Sequence, residues 1–184
     1  MTIPAFLRTL PLALWFAALV ITTPAWSQSY ERGLSAYSRL DYETALREWN
    51  ESAVAGDPQS QFGLGMLYDF GHGVPQDPEA AVVWYRFAAE KGHPGAQLFL
   101  AYNYERGRGV GQSYASAHRW YLEAARQGEA KAQNNLGVMY ENGYGVLVDL
   151  DIAIYWYEEA ARKGNRNARA NLHRLTPAGA ATQN

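Results

Sequence analysis

The feature that most constrains this chain is an internal period of 36 residues. Trp84, Trp120 and Trp156 stand at this spacing, and a tyrosine directly follows each of them. A fixed period of this length is typical of a repeat architecture, in which each unit buries its apolar face only against its neighbours. Other positions that keep the same residue at this step include Leu64/Leu100/Leu136, Tyr68/Tyr104/Tyr140, Gly71/Gly107/Gly143, Gly73/Gly109/Gly145, Val74/Val110/Val146, Ala81/Ala117/Ala153, Ala88/Ala124/Ala160, Ala89/Ala125/Ala161 and Gly92/Gly128/Gly164.

Each unit has the residue spacing of two helices. In its second half, small and aromatic residues between Ala81 and Ala89 recur at i, i+3, i+4, i+7 and i+8, which places them on one helical face. Asp77 before Pro78 is typical of the start of this helix, and Gly92 of its end. The preceding helix is expected to end at the Gly-x-Gly-Val segment, whose glycines permit positive φ. It is expected to begin at the capping positions Asp57, His93, Glu129 and Asn165.

The repeated pattern identifies a known type of unit. The chain repeats L-G-x-x-Y-x-x-G-x-G-V-x-x-D-x-x-x-A-x-x-W-Y-x-x-A-A-x-x-G, which resembles the Sel1-like repeat, a relative of the tetratricopeptide repeat. The middle unit departs from it at Ala101 and Ser113, and neither change upsets the assignment. The likeness extends from about Tyr30 to Leu175. It implies an all-α fold, a right-handed α-solenoid of tandem helix-turn-helix repeats, and a role as a scaffold or adaptor for other proteins.

The repeats predict how the chain is divided. The first unit looks more like a plain tetratricopeptide helix pair, because Trp49 occupies the tyrosine column and the Gly-x-Gly-Val turn is missing. After the last full unit, polar and basic side chains surround Ala168 and Leu172, as expected of a helix that caps a solenoid. The predicted units are a signal peptide (1–27), an N-terminal tetratricopeptide-like repeat (28–59), three Sel1-like repeats (60–95, 96–131 and 132–167), a C-terminal capping helix (168–176) and a flexible tail (177–184).

The N-terminal segment predicts export. Arg8 precedes an apolar run from Leu12 to Ile21, and the small-residue pattern that ends at Ser27 follows, which is typical of a secretory signal peptide. The alternative is an uncleaved anchor, but a membrane-spanning helix needs about 20 apolar residues. We therefore expect cleavage after Ser27, no membrane anchor afterwards, and a periplasmic or secreted protein. The absence of cysteine favours the bacterial periplasm.

Composition excludes several chemistries. Without cysteine, the chain has no disulfide framework and no thiolate metal site. A net charge of −2 gives no electrostatic reason to expect a nucleic-acid partner. The four histidines show no metal-binding spacing, and the glycine pairs follow helices rather than strands. We therefore predict no metal, no cofactor and no enzymatic activity.

The candidate functional surface lies on the first helix of each unit, on the side opposite to Leu64 and Tyr68. At about 100° per residue, the positions two before Leu64, two after it and five after it lie on that side. In the families that the chain resembles, this side lines a concave groove that holds a partner segment. The predicted partner-binding groove comprises Phe62, Met66, Asp69, Leu98, Tyr102, Glu105, Asn134, Val138 and Glu141.

The groove residues predict the chemistry of the partner. The floor would be apolar to aromatic, and the acidic column of Asp69, Glu105 and Glu141 would border it. This pattern favours a protein or peptide with apolar anchors and at least one Lys or Arg. The alternative is that these acidic residues only solvate the surface.

Two other binding roles stay open. A module at the cell envelope could bind glycan by stacking tyrosine rings on sugars. An incomplete cap could also pair with the end of another copy of the chain and give weak self-association. The tyrosines considered for glycan binding are Tyr102, Tyr114, Tyr144 and Tyr155.

Overall fold

The computed structural model describes residues 25–176, and over that range the chain forms helices joined by short turns, without a strand. Each helix packs mainly on the one before it and the one after it, which is the contact pattern of a solenoid. The predicted all-α solenoid is confirmed. The helices are α1 (Ala25–Ser38), α2 (Tyr42–Val54), α3 (Pro58–Phe70), α4 (Pro78–Glu90), α5 (Pro94–Arg106), α6 (Tyr114–Arg126), α7 (Ala130–Asn142), α8 (Leu150–Arg162) and α9 (Arg166–Leu175).

The two ends of the chain fall largely outside the described residues. The predicted tail, 177–184, lies wholly outside them, and so does the predicted signal peptide up to residue 24. Helix α1 begins at Ala25, before the predicted cleavage point at Ser27. We call α1, α3, α5, α7 and α9 the first helices, and α2, α4, α6 and α8 the second helices.

The helix starts agree with the caps read from the sequence. The side chains of Asp57, His93 and Asn165 each accept a hydrogen bond from a backbone N–H of the first turn of α3, α5 and α9. Glu129 precedes α7, but its side chain makes no such bond. Three of the first helices therefore have a side-chain cap that satisfies an otherwise unpaired backbone donor.

The Gly-x-Gly turns bring neighbouring units into direct backbone contact. Gly107 ends α5 with a φ of 68°, in the left-handed region. Gly109, two residues later, has a φ of 67° and lies against the backbone of Pro78 and Glu79, at the first turn of α4. A Cβ atom at Gly109 would overlap the Pro78 carbonyl group. The turn of one unit is thus seated on the second helix of the unit before it, and this contact fixes how the units stack.

The core of each unit is an aromatic ring packed against a glycine or alanine. Tyr85, Tyr121 and Tyr157 are fully buried on the second helices, and Trp49 takes their place in the first unit. The ring of Tyr85 lies directly over Gly65 of α3, where a Cβ atom would overlap it. These large-on-small contacts let the two helices of a unit approach closely.

Candidate functional site

The first helices α5, α7 and α9 enclose an open pocket of about 670 Å³. Its volume lies in the range typical of ligand-binding clefts. Three of the predicted groove residues, Leu98, Tyr102 and Asn134, line it. The full lining of this open pocket is Leu98, Phe99, Tyr102, Lys131, Asn134, Asn135, Gly164, Asn165, Arg166 and Asn167.

One repeat towards the N-terminus, side chains fill the equivalent position. Phe62 of α3 stacks on His93 with ring centroids 4.5 Å apart, and it meets Phe99 edge-on at 5.7 Å. A Cβ atom at Gly95 would lie 3.1 Å from the tip of the Phe62 ring, so that space is already occupied. We call Phe62, Tyr85, His93 and Phe99 the aromatic cluster; Phe99 is shared between this cluster and the open pocket.

Met66 and Val138 complete the apolar part of the predicted groove. Both are partly buried. Met66 packs against two neighbouring core clusters, one that contains Leu64 and one that contains Leu100, and Val138 packs against the core cluster between α8 and α9. Neither residue lines the open pocket. Six of the predicted groove residues are not acidic. Phe62, Met66 and Val138 pack against core residues and do not line the open pocket. Leu98, Tyr102 and Asn134 line it, but Leu98 also packs against the core and Asn134 is buried, where its Oδ1 accepts a hydrogen bond from Asn171.

The acidic column has a different environment from the one read from the sequence. Asp69 was expected on the exposed side of α3, but only 2% of it is accessible. Its carboxylate accepts a hydrogen bond from the Tyr85 hydroxyl at 3.1 Å and forms an ion pair with Arg108. Arg108 also donates to the Asp69 carbonyl oxygen at 2.8 Å. The helical wheel missed this burial because Tyr85 comes from α4 and Arg108 from the turn of the next unit.

Glu105 and Glu141 follow the same pattern, and both are partly buried. Glu105 accepts a hydrogen bond from the Tyr121 hydroxyl at 2.6 Å, and Glu141 accepts one from Tyr157 at 2.7 Å. Glu141 also pairs with Arg174 of α9 at 2.6 Å. Burial, together with the nearby carboxylate, raises the pKa of both tyrosine hydroxyls, so they stay protonated donors. The acidic column thus links the first and second helix of each unit.

The charged groups that do face the open pocket are cations. Lys131 and Arg166 are exposed, and neither forms an ion pair with any residue of the described range. The lining formed by described residues contains no Asp or Glu. From the sequence, Arg166 was expected on the solvated face of the capping helix, with a basic docking patch as the alternative, and Lys131 was not selected. Their repeat columns carry a signal: the equivalents of Lys131 are Gln59, Gly95 and Asn167, and those of Arg166 are Pro58, Pro94 and Ala130.

The four tyrosines considered for glycan binding are distributed over several elements. Tyr102 is 41% exposed, carries Arg106 over its ring at 5.3 Å and is the only one of the four that lines the open pocket. Tyr114 and Tyr144 stack on each other with centroids 5.1 Å apart. Tyr155 lies edge-on to the neighbouring Trp156.

His93, the histidine of the aromatic cluster, serves as a helix cap. His93 accepts the Ala96 N–H at Nδ1, and its Nε2 lies 2.8 Å from Gln59 Oε1. Burial lowers the pKa of His93, which favours the neutral ring that this cap requires.

Within residues 25–176, no three His, Cys, Asp or Glu side chains are arranged to hold a metal ion. None of the helices in that range has both the length and the apolar character to cross a membrane.

The stacked helix pairs and the groove along the first helices define an α-solenoid of the scaffold type. A family model described as the Sel1 repeat matches residues 58–93, 94–129 and 130–165, which is more than half of the chain. The chain belongs to the Sel1 repeat family, and the resemblance read from its motifs is confirmed. Proteins of this family typically mediate protein–protein interactions and are generally non-catalytic scaffolds.

Solved structures of bacterial proteins share this fold. The chain is 34% identical, with a TM-score of 0.77, to a protective antigen present in uropathogenic Escherichia coli strains, covering 82% of this chain and 33% of that one. It is 35% identical, with a TM-score of 0.74, to a Sel1 repeat protein from Oxalobacter formigenes, covering 77% of this chain and 58% of that one.

A more distant likeness shows the fold alone. Cysteine rich protein B of Helicobacter pylori is 20% identical, with a TM-score of 0.57, over 72% of this chain and 95% of that one.

The chain spans about a third of the Escherichia coli protein and less than two thirds of the Oxalobacter protein. A comparison with curated proteins finds no match.

Proposed function

We propose that this protein is an exported, non-enzymatic scaffold that binds a protein or peptide in the groove along its first helices. The observation that carries the proposal is the open pocket between α5, α7 and α9, which includes three residues selected from the repeat pattern alone. Pockets of this size with an apolar wall and a few convergent polar groups are the usual form of a binding site.

The composition of the open pocket suits a peptide chain. Leu98, Phe99 and Tyr102 form an apolar and aromatic wall, and Tyr102 leaves much of its ring accessible. Asn167 is exposed and adds an amide group, which can donate to and accept from a peptide backbone, whereas the Asn135 amide already accepts a hydrogen bond from Asn134 Nδ2 at 3.3 Å. An extended segment could therefore bury a side chain on the wall while its backbone is hydrogen-bonded by the Asn167 amide.

Site-specific photocrosslinking tests the position of the partner. A benzophenone amino acid placed at Tyr102 should crosslink to a discrete protein in cells of the source organism. The matched control is the same group at Tyr155, which is 51% exposed but lies on the second helix α8. Crosslinks from Tyr155 of equal strength, or none from Tyr102, would contradict binding in the groove.

The remaining parts of the proposal have separate tests. Export predicts a mature N-terminus at Gln28, and an N-terminus at Met1 on the protein isolated from cells would contradict it. Co-sedimentation with insoluble cell-wall polymer, without a crosslinked protein, would favour the glycan-binding alternative. Self-association through an incomplete cap would be detected by a concentration series in light scattering.

A further inference from the structure

We propose that the ligand of the open pocket is an acidic peptide segment, with an Asp or Glu side chain that pairs with Lys131 and Arg166. A large apolar side chain next to that acid would pack on Leu98, Phe99 and Tyr102. The inference rests on the proposed function, because it names the ligand class of the same groove. It reverses the charge of the partner expected from the sequence.

Charge complementarity is the first argument. The carboxylates once expected to face the partner are held by Tyr85, Tyr121, Tyr157 and two arginines. The open pocket has two exposed cations and, among the described residues that line it, no carboxylate to balance them. A ligand carboxylate would supply the missing charge, whereas a ligand Lys or Arg would meet only repulsion there.

The position of the cations in their helices is the second argument. Arg166 is the first residue of α9 and Lys131 is the second residue of α7. The N-terminus of a helix carries partial positive charge, so a cation there is locally unfavourable and an anion is favoured. The N-cap of α9 is the neutral Asn165, and its first turn contains no acidic residue, whereas Glu129 at the N-cap of α7 offsets part of the positive charge at that helix start. The start of α9 and the two side chains therefore place positive potential on one pocket wall.

The equivalent positions in the other units make the third argument. The matching residues of α3 and α5 are Pro58, Gln59, Pro94 and Gly95, none of which is charged. There the aromatic cluster occupies the space that the open pocket leaves free. At these equivalent positions, positive charge is therefore present only beside the open pocket. This is expected if a function, rather than packing, selects the residues at these positions.

Affinity selection with defined peptide pools tests the charge. The purified protein is immobilised and exposed to acetylated, amidated peptides of random sequence around a fixed pair: Glu-Leu, Gln-Leu or Lys-Leu. A further Gln-Leu pool carries a free C-terminal carboxylate. We expect retention of the Glu-Leu pool alone, weakening as salt rises, since exposed charge pairs are screened.

The other outcomes separate this inference from the proposed function. Retention of the Lys-Leu pool, equal retention of the Glu-Leu and Gln-Leu pools, or retention of only the free-carboxylate pool would overturn the acidic side-chain assignment. If a pool in one of these outcomes were retained by the parent protein but not by the Tyr102→Ala variant, binding in the groove would still be supported. Retention of no pool, or retention that Tyr102→Ala leaves unchanged, would overturn both.

Charge-neutralising variants locate the contact. Lys131→Gln with Arg166→Gln should weaken binding of a retained Glu-Leu peptide about tenfold and flatten its salt dependence. The matched control is Arg169→Gln on α9, because Arg169 is exposed but does not line the open pocket. Equal weakening by Arg169→Gln would indicate a diffuse charge effect and would contradict the site. Unchanged thermal unfolding of each variant shows that the fold is retained.

Discussion

The two parts of the groove use the same backbone frame for different purposes. Around α3 and α5, Phe62 and His93 stack on each other and fill the space between the first helices. Around α7 and α9, Asn134 and Lys131 occupy columns equivalent to Phe62 and Gly95, and the space stays open. In the first part the aromatic side chains pack against one another. In the second part Leu98 and Phe99 pack against the core on one side and form the wall of the open pocket on the other, beside two cations that form no ion pair within residues 25–176. The difference assigns packing to the first part and binding to the second.

The repeat columns explain why the contrast is sharp. Gly73, Gly109 and Gly145 each seat their turn on the unit before, so the helices are placed in the same way along the solenoid. Because the frame is constant, a change at a single column, such as Phe62 to Asn134, alters the groove without altering the fold. The constant columns therefore indicate how the units stack, and the columns that vary between units indicate where function can differ.

The largest effect is expected from the shared frame itself. Gly109→Ala would place a Cβ atom in the Pro78 backbone at a positive φ, and we expect the free energy of unfolding to fall by about 3 kcal/mol. Gly111→Ala is the control, because nothing lies within 4 Å of that position. Urea denaturation measures both. Equal stability of the two variants would contradict the seating of the turn.

The next effect separates the two parts directly. Phe62→Ala should lower the free energy of unfolding by about 2 kcal/mol, less than is usual for a fully buried Phe because the ring is only partly buried. Leu98→Ala, in the same column but at the open pocket, also removes a partly buried side chain and should cost about 1 kcal/mol, less than is usual for a fully buried Leu, and it should weaken binding of the Glu-Leu peptide. If instead Phe62→Ala weakened binding more than Leu98→Ala, the assignment of packing and binding would be reversed.

The acidic column should act on stability in both parts. Tyr85→Phe removes a hydrogen bond to the buried Asp69 carboxylate and should lower the free energy of unfolding by about 2 kcal/mol at neutral pH. The control is Tyr68→Phe, whose hydroxyl has no hydrogen bond within the described residues. Peptide affinity should be unchanged in Tyr85→Phe. A loss of affinity there, without a loss of stability, would restore a ligand-binding role to the column.

The hydrogen bond between Tyr85 and Asp69 also predicts that stability changes with pH in the alkaline range. Burial raises the pKa of Tyr85 above its ordinary value of 10.0, so the folded protein keeps a proton that the unfolded chain releases above about pH 10. The stabilisation is complete below pH 10 and declines as the pH rises further. The stability difference between the parent and Tyr85→Phe should therefore shrink between pH 10 and pH 11. A difference that grows over this range would contradict the assigned hydrogen bond.

The smallest effect compares the caps of α5 and α9. Burial lowers the pKa of His93, so below its ordinary value of 6.5 the unfolded chain binds a proton that the folded chain does not, and stability declines. His93→Asn keeps a cap of the kind that Asn165 gives α9 but cannot titrate. The parent should therefore lose stability relative to this variant between pH 6.5 and pH 5, and the loss should be small because His93 is partly exposed to solvent. Parallel pH profiles would show that His93 does not titrate between the two states.

The repeat pattern predicted the frame of the molecule well. The capping residues Asp57, His93, Asp77 and Asn165 all lie at helix starts, and Gly107 and Gly109 adopt the positive φ expected of them. Each of these features depends on residues close together in the chain. Sequence alone can therefore specify them through local backbone geometry.

Contacts between units were beyond the reach of the same reasoning. Asp69 was placed on the exposed side because only α3 was considered, whereas its partner Arg108 lies 39 residues further on. The shared position of Lys131 and Arg166 at the open pocket was not predicted, because the two residues come together only when α7 and α9 are side by side. Whether a charged side chain stabilises or destabilises the fold depends on its neighbours from other helices. A helical wheel shows only the residues of one helix.

The central claim is that the open pocket between α5, α7 and α9 holds the ligand. The most direct measurement is the change in backbone amide chemical shifts when the labelled protein is titrated with a retained Glu-Leu peptide. We predict the largest changes at Tyr102, Asn135 and Arg166, with little change around Phe62. Largest changes around Phe62, or on the second helices near Tyr155, would contradict the account.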